Sequence, residues 1–181
     1  VVVELSNRFF KNLFKPRMCK RFMLNIHTIG GYNEVGKNMT VLEINDDAIV
    51  FDAGLFLPAI VGVEEKEKIP TEKGMRALGA LPDDIYLDKK GLRNKVRAIL
   101  VSHAHLDHVG GLPYLANRYN ARILATPYTI EVLKSLLLDN NHKINNKIVP
   151  VRPNSSYYVK GRKDYRVEFL NITHSTLQCA L

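Results

Sequence analysis

The segment that most restricts this chain is an apolar run, Val96 to Val101, that passes without a spacer into Ser102-His103-Ala104-His105-Leu106-Asp107-His108. The run reads as a buried strand over residues 96–103, and the pattern Leu112, Tyr114, Leu115, Tyr119 behind it reads as a helix. Three imidazoles and a carboxylate therefore fall within six positions at a strand-to-helix junction. Such crowding is costly unless the side chains share a ligand.

The flanking sequence supplies the layers. MLNIHTI from Met23, a turn through Gly30 and Gly31, NMTVLEI and AIVFD around Asp46-Asp47 read as an antiparallel meander. Residues 59–95 form a longer charged connection, expected at the surface, with a short helix near Glu72 to Leu78 and turns at Pro82, Asp83 and Gly91. ARILAT is a further strand. A helix follows from Pro127 to Leu138, and Pro127 is tolerated there because the first helical turn needs no amide donor from it. DNNHKINNK is a polar loop. Strands near IVPV, SYYVK and YRVEFLNI come last, the final one running into Thr173, His174 and Ser175. Strands interleaved with helices predict the α/β class, with sheets covered by helices.

Composition narrows the class. With 181 residues and 46% apolar content the chain can bury one core, which excludes a disordered or fibrous protein. No apolar run approaches the roughly 18 to 20 residues of a membrane span, so no membrane partner is expected. Cys19 and Cys179 are too few and too far apart for a disulfide framework, which suits a reducing, cytoplasmic setting. The net charge of +8 is uneven, because residues 1–22 hold six basic side chains against Glu4 alone. The organisation read from this is a basic N-terminal segment, 1–22, ahead of a domain over 23–181. Phe9, Phe10, Leu13 and Phe14 would let the segment lie on an acidic or membrane surface, but the plainer reading places the true start at Met18 or Met23. Neither an apolar centre nor a cleavage site of a secretory signal is clear.

Histidine and carboxylate both bind a borderline cation such as zinc, at about 2.0 to 2.2 Å, and alternate residues at a strand end point the same way. His103 and His105 can thus share one ion. The turn that follows can swing Asp107 and His108 onto a second, and ions about 3.5 to 4 Å apart can hold both the attacking and the leaving oxygen of a phosphoryl displacement. The competing reading is a solvated His-rich turn, against which four ligand-type side chains at this spacing weigh heavily.

His103-Ala104-His105-Leu106-Asp107-His108 followed by Gly110 and Gly111 resembles the HxHxDH signature of the metallo-β-lactamase superfamily. Asp52, at the end of AIVFD, matches the family's first motif, and His174 its third. GGYNEVGKNMTVLE at 30–43, DAGLFLP at 52–58, VSHAHLDHVGGLPYL at 101–115 and ITHST at 172–176 together resemble ribonuclease J, especially its archaeal-type branch. The resemblance implies the N-terminal half of an αββα four-layer sandwich. It would put His103, His105 and His174 on one zinc and Asp107 and His108, the catalytic pair, on another, with Asp52 supporting the loop from behind. The implied reaction is hydrolysis of RNA phosphodiesters, 5′ to 3′ with endonucleolytic cleavage as well, in RNA processing and decay. In that pattern a bridging Asp, a later His ligand and an inserted nuclease-specific domain come after Leu181. The chain is therefore expected to be the N-terminal piece of a longer protein, with any homodimer formed through regions outside this sequence. His174-Ser175-Thr176-Leu177-Gln178 departs from the His-Ser-Ile-Pro-Asp continuation typical of bacterial members, which leaves the substrate contacts unassigned.

Two alternatives share the evidence. HxHxDH alone also fits a thioesterase or lactamase-like hydrolase, and the missing ligands fit a catalytically inactive RNA-binding fragment. Other residues have plainer readings. His27 and His142 lack ligand spacing and are assigned ordinary structural roles. Gly30, Gly31 and Gly36 are turn glycines, since a strand rather than a helix follows them. Lys37 and Asn38 stand at a rim where either solvent or an RNA phosphate is served. Tyr157 and Tyr158 offer a stacking surface in principle but are assigned mainly to sheet packing. Ser102 and Ser175 lie beside histidines without a nucleophile elbow, so the imidazoles are better used as ligands.

Overall fold

Ala48, Ile49 and Val50 are consecutive and all fully buried, so the strand that carries them needs a packed layer on each face. The computed structural model describes residues 2–5, 22–61 and 71–180 and shows both layers. Strands β1 (Val2–Leu5), β2 (Leu24–Gly30), β3 (Met39–Ile44) and β4 (Asp47–Phe51) precede helices α1 (Glu72–Ala77) and α2 (Ile85–Lys89). Strand β5 (Val96–Leu100) leads to α3 (Leu106–Val109) and α4 (Leu112–Leu115). Then come β6 (Arg122–Ala125), α5 (Pro127–Asp139), β7 (Ile148–Pro150), β8 (Ser155–Val159) and β9 (Tyr165–Phe169).

Six strands form one sheet in the order β2-β3-β4-β5-β6-β7, and β1-β9-β8 form a second. The β2-β3-β4 meander is antiparallel, with a tight turn at Asn45-Asp46 in which Asn45 takes a left-handed φ of 54°. From β4 to β7 the pairing is parallel, and the crossover between β6 and β7 is α5. The pleat divides two cores. Met39, Val41, Ala48, Val50, Ile99, Ile123 and Ala125 pack against the helices, whereas Ile44, Ile49, Ala98, Leu100 and Leu124 face Val159, Tyr165, Val167 and Phe169 of the small sheet. Every described helix buries its apolar side on the large sheet, giving helix, sheet and sheet layers. No helix among the described residues is long and apolar enough to cross a membrane.

The 59–95 connection is more than surface structure. Met75, Ala80, Leu81, Leu87 and Leu92 are buried in the helical-side core, and isolated apolar residues among charges conceal that role in sequence. Its anchor is Asp84, fully buried, whose carboxylate accepts from Arg76, from Arg118 Nε at 2.8 Å and from the Tyr119 hydroxyl at 2.6 Å. Burial and this carboxylate together push the Tyr119 phenol far above its ordinary value. Asp47 plays the same part between the sheets. It accepts from Arg97 Nε at 2.6 Å, the Arg162 amide at 2.6 Å and the Tyr165 hydroxyl at 2.8 Å. Burial opposes its ionisation, but these three donors outweigh burial and hold its carboxyl below the usual range.

His27 and His142 have structural neighbours: His27 lies between Glu43 and Tyr86, and His142 stands edge-on to Tyr114. Tyr157 is half-buried against the inter-sheet core while Tyr158 is exposed. Phe9, Phe10, Leu13, Phe14 and Cys19 of the basic segment lie outside the described residues. Cys179 is buried with a free thiol, which burial pushes up in pKa.

Candidate metal centre

The strand feeding the histidines ends earlier than its composition suggests. The β5 ladder stops at Leu100; the Val101 amide still donates to Leu124 of β6, but the Ser102 amide turns to Asp52 Oδ1 at 2.8 Å. A side-chain acceptor captures the donor that a neighbouring strand would have used, and the chain peels away. His103 and His105 therefore meet through a loop, not through strand alternation.

That loop rests on two others, held mainly by main-chain bonds. The Gly54 amide donates to Asn38 O at 3.0 Å, and the Asn38 amide to Asp107 O at 2.9 Å. Ala53 and Leu55 donate to His108 O and Leu106 O, each at 2.9 Å, and Gly111 donates back to Ala53 O at 2.8 Å. Two residues of this cradle other than glycine take left-handed backbone angles, Lys37 at 41° and Asp52 at 61°. Strain of this kind persists only where surrounding bonds over-determine it.

Three imidazoles converge on the cradle. The ligand atoms of His103, His105 and His174 all lie within 4.8 Å of one another, although His174 comes from the loop after β9. His103 Nε2 and His105 Nδ1 are 3.0 Å apart, and the His174 ring stands edge-on to both. His103 is buried. Its Nδ1 lies 2.9 Å from Ser102 Oγ, which itself donates to Asp52 Oδ2 at 2.9 Å, so the ring's Nε2 is left facing the other two. Burial foremost, then the neighbouring His108, lowers the His103 pKa to about 4 against a weaker pull from Asp52. A ring that stays neutral at pH 7 keeps its lone pair for a ligand. Three imidazoles offering one nitrogen each within 4.8 Å of one another form a donor set that fits a metal ion.

Asp107 and His108 form a second group beside the first, with the His108 ring centroid 4.0 Å from that of His103. Asp107 Oδ2 lies 3.4 Å from His108 Nε2. Asp52 Oδ2 lies 2.8 Å from His108 Nδ1, an arrangement that fixes the Nδ1–H tautomer and turns Nε2 toward Asp107. Burial lowers the His108 pKa, but Asp52, through its bond and its charge, prevails and raises it. A cleft of about 390 Å³ opens from His105 and His174 past Tyr128 to Leu177.

Two residues have roles at the site that their sequence setting does not signal. The Ser102 hydroxyl links Asp52 to His103. Asn38 is half-buried, with its amide against Asp107 and His108; its sequence setting, a turn ahead of a strand, carries no signal of a partner 69 residues away. Lys37 is also half-buried, near Glu34 and over the Phe56 ring.

Residues 32–164 match the family model described as the metallo-beta-lactamase superfamily. The chain belongs to the metallo-β-lactamase superfamily. Among curated relatives it is 36% identical to ribonuclease J of Methanocaldococcus jannaschii over 84% of this chain and 34% of that protein. To ribonuclease J of Pyrococcus abyssi it is 38% identical over 88% of this chain and 35% of the relative. The chain thus spans about a third of the length of these relatives. Solved structures agree on the superfamily fold. A protein of Enterococcus faecalis V583 of unknown function matches with a TM-score of 0.59 at 16% identity, over 87% of this chain and 39% of that one. BJP-1, a subclass B3 metallo-β-lactamase of Bradyrhizobium japonicum, matches with a TM-score of 0.51 at 16% identity, over 87% and 53% of the two chains.

Proposed function

We propose that the protein is a zinc-dependent ribonuclease of the ribonuclease J type, acting on RNA in the cytoplasm. The observation that carries this reading is the convergence of His103, His105 and His174 beside Asp107 and His108, in a chain whose curated relatives of similar sequence are ribonucleases. The three histidines hold one ion, and Asp107 and His108, the catalytic pair, contribute to a second. Zinc at such a site supplies a Lewis acid for the phosphoryl oxygens and a water nucleophile whose pKa is lowered toward about 7. The protein's own groups do the positioning. Asp52 holds His108 in one tautomer, Ser102 links that carboxylate to His103, and His103 is kept neutral by burial. RNA enters through the cleft beside His105, His174 and Tyr128.

The activity is proposed to be 5′ to 3′ exonucleolytic, with endonucleolytic cleavage as well. Full-length protein loaded with zinc should release mononucleotides from the 5′ end of RNA, and His103→Ala should abolish release. Failure to degrade RNA with any 5′ end would overturn the reading, and thioester or β-lactam turnover in its place would favour another hydrolase of the superfamily.

A further inference from the structure

Asn38 closes the loop ahead of β3, and its main chain is fixed at both ends, the amide donating to Asp107 O and the carbonyl accepting from Gly54. Its side-chain Nδ2 lies 3.0 Å from Asp107 O, 2.9 Å from Asp107 Oδ2 and 3.1 Å from His108 Nε2. All three neighbours accept hydrogen bonds when His108 carries its proton on Nδ1, toward Asp52, so the amide must present its nitrogen here and not its oxygen. A primary amide has two hydrogens, one too few for three acceptors. His108 Nε2 has one lone pair, and a cation bound there takes it. The two acceptors that remain, both on Asp107, then match the two hydrogens.

From this arithmetic we propose that Asn38 is a positioning residue for the second metal ion. Its amide clamps the Asp107 carboxylate to the Asp107 main chain's own loop and cedes His108 Nε2 to the cation. The proposal rests on the reading that Asp107 and His108 are ligands. Asn38 touches neither substrate nor metal in this role; it lowers the reorganisation needed to bring the carboxylate and imidazole to one point.

The test compares Asn38→Leu, close in shape but without a donor, and Asn38→Ser, too short to reach, with the parent protein. Neither substitution removes the main-chain bonds of residue 38. Zinc affinity is measured by competition against a chromophoric chelator, which resolves a tighter and a weaker step, and His108→Ala is titrated in parallel. The expected result is a 10- to 100-fold weakening of the weaker step in both Asn38 variants, with the tighter step unchanged. An unchanged weaker step in Asn38→Leu and Asn38→Ser, while His108→Ala abolishes it, would overturn the proposal and leave the ligand reading standing. If His108→Ala itself leaves the weaker step unchanged, the ligand reading fails and the role of Asn38 falls with it. Loss of both steps in both Asn38 variants would show that the residue holds the whole cradle and would overturn a role confined to the second ion.

Discussion

Gly54 stands so close to Asp107 that a Cβ on the glycine would lie 1.6 Å from the Asp107 carbonyl oxygen. No rotamer relieves a clash between backbone atoms. Gly54→Ala is expected to force the 52–55 loop off the His-rich loop, at a cost of about 1 to 3 kcal/mol or more in stability, and to weaken metal binding at least tenfold. Denaturant unfolding and zinc titration of the purified variant check both, and retention of wild-type zinc affinity would show that the cradle does not set the site.

Asp52 accepts the Ser102 amide and hydroxyl and lies against His108 Nδ1. Replacing it with alanine leaves a buried amide without a partner and the His108 ring free to turn. Asp52→Ala should lower metal affinity by about 10- to 100-fold and stability by about 1 to 3 kcal/mol. Wild-type zinc affinity in a folded variant would contradict the support assigned to this carboxylate.

Zinc that binds only the folded chain must stabilise it. At a free concentration 100 times the dissociation constant the gain is about 2.7 kcal/mol. Chelation should therefore lower the thermal midpoint of the parent protein, and His103→Ala should make that midpoint insensitive to chelator. A midpoint that ignores chelator in the parent would speak against the triad.

Asp47 gives the acid limb of stability. Its folded-state pKa is depressed, so its contribution is complete above the unfolded carboxylate value of about 4 and is lost as pH falls through the lower folded value. Stability measured against pH should fall below about pH 4. Asp47→Asn should flatten that limb and cost about 3 kcal/mol at neutral pH.

Asp84 is fully buried between Arg76 and Arg118, at the start of α2. Asp84→Ala removes the buried partner shared by Arg76, Arg118 and Tyr119, leaving Arg76 with Glu72 and Arg118 with Asp88. The loss should cost about 1 to 3 kcal/mol without changing zinc affinity in the fraction that remains folded. A selective loss of zinc affinity at unchanged stability would show that α1 and α2 couple to the centre.

The meander, α5 and the closing strands were legible because each is a local pattern of period two or of helical spacing. The dense His and Asp cluster was legible because its members are close in sequence, not because of any period, since residues 103–105 lie past the end of β5. Asn38, Asp47 and Asp84 were not, since each acts through partners distant in sequence: Asp107 and His108 for Asn38, Tyr165 for Asp47, Arg118 for Asp84. The early end of β5 was hidden too, because only the arrival of Asp52 diverts the Ser102 amide. Helices α1 and α2 read as surface because single apolar residues such as Met75 and Leu87 sit among charges, and the tertiary contacts that bury them leave no periodic mark.

The stitching of residues 38, 53–55, 106–108 and 111 relies on peptide groups, which every amino acid except proline supplies. Side-chain identity is dictated there at Gly54 and Gly111, where a Cβ would meet backbone, and at Asn38, whose amide meets Asp107. The scaffold can therefore keep its shape while the groups projecting from it are exchanged, so donor atoms and substrate contacts are free to drift independently of foldability. A platform of that kind separates inheritance of architecture from inheritance of chemistry, and the groups it presents can be exchanged one side chain at a time.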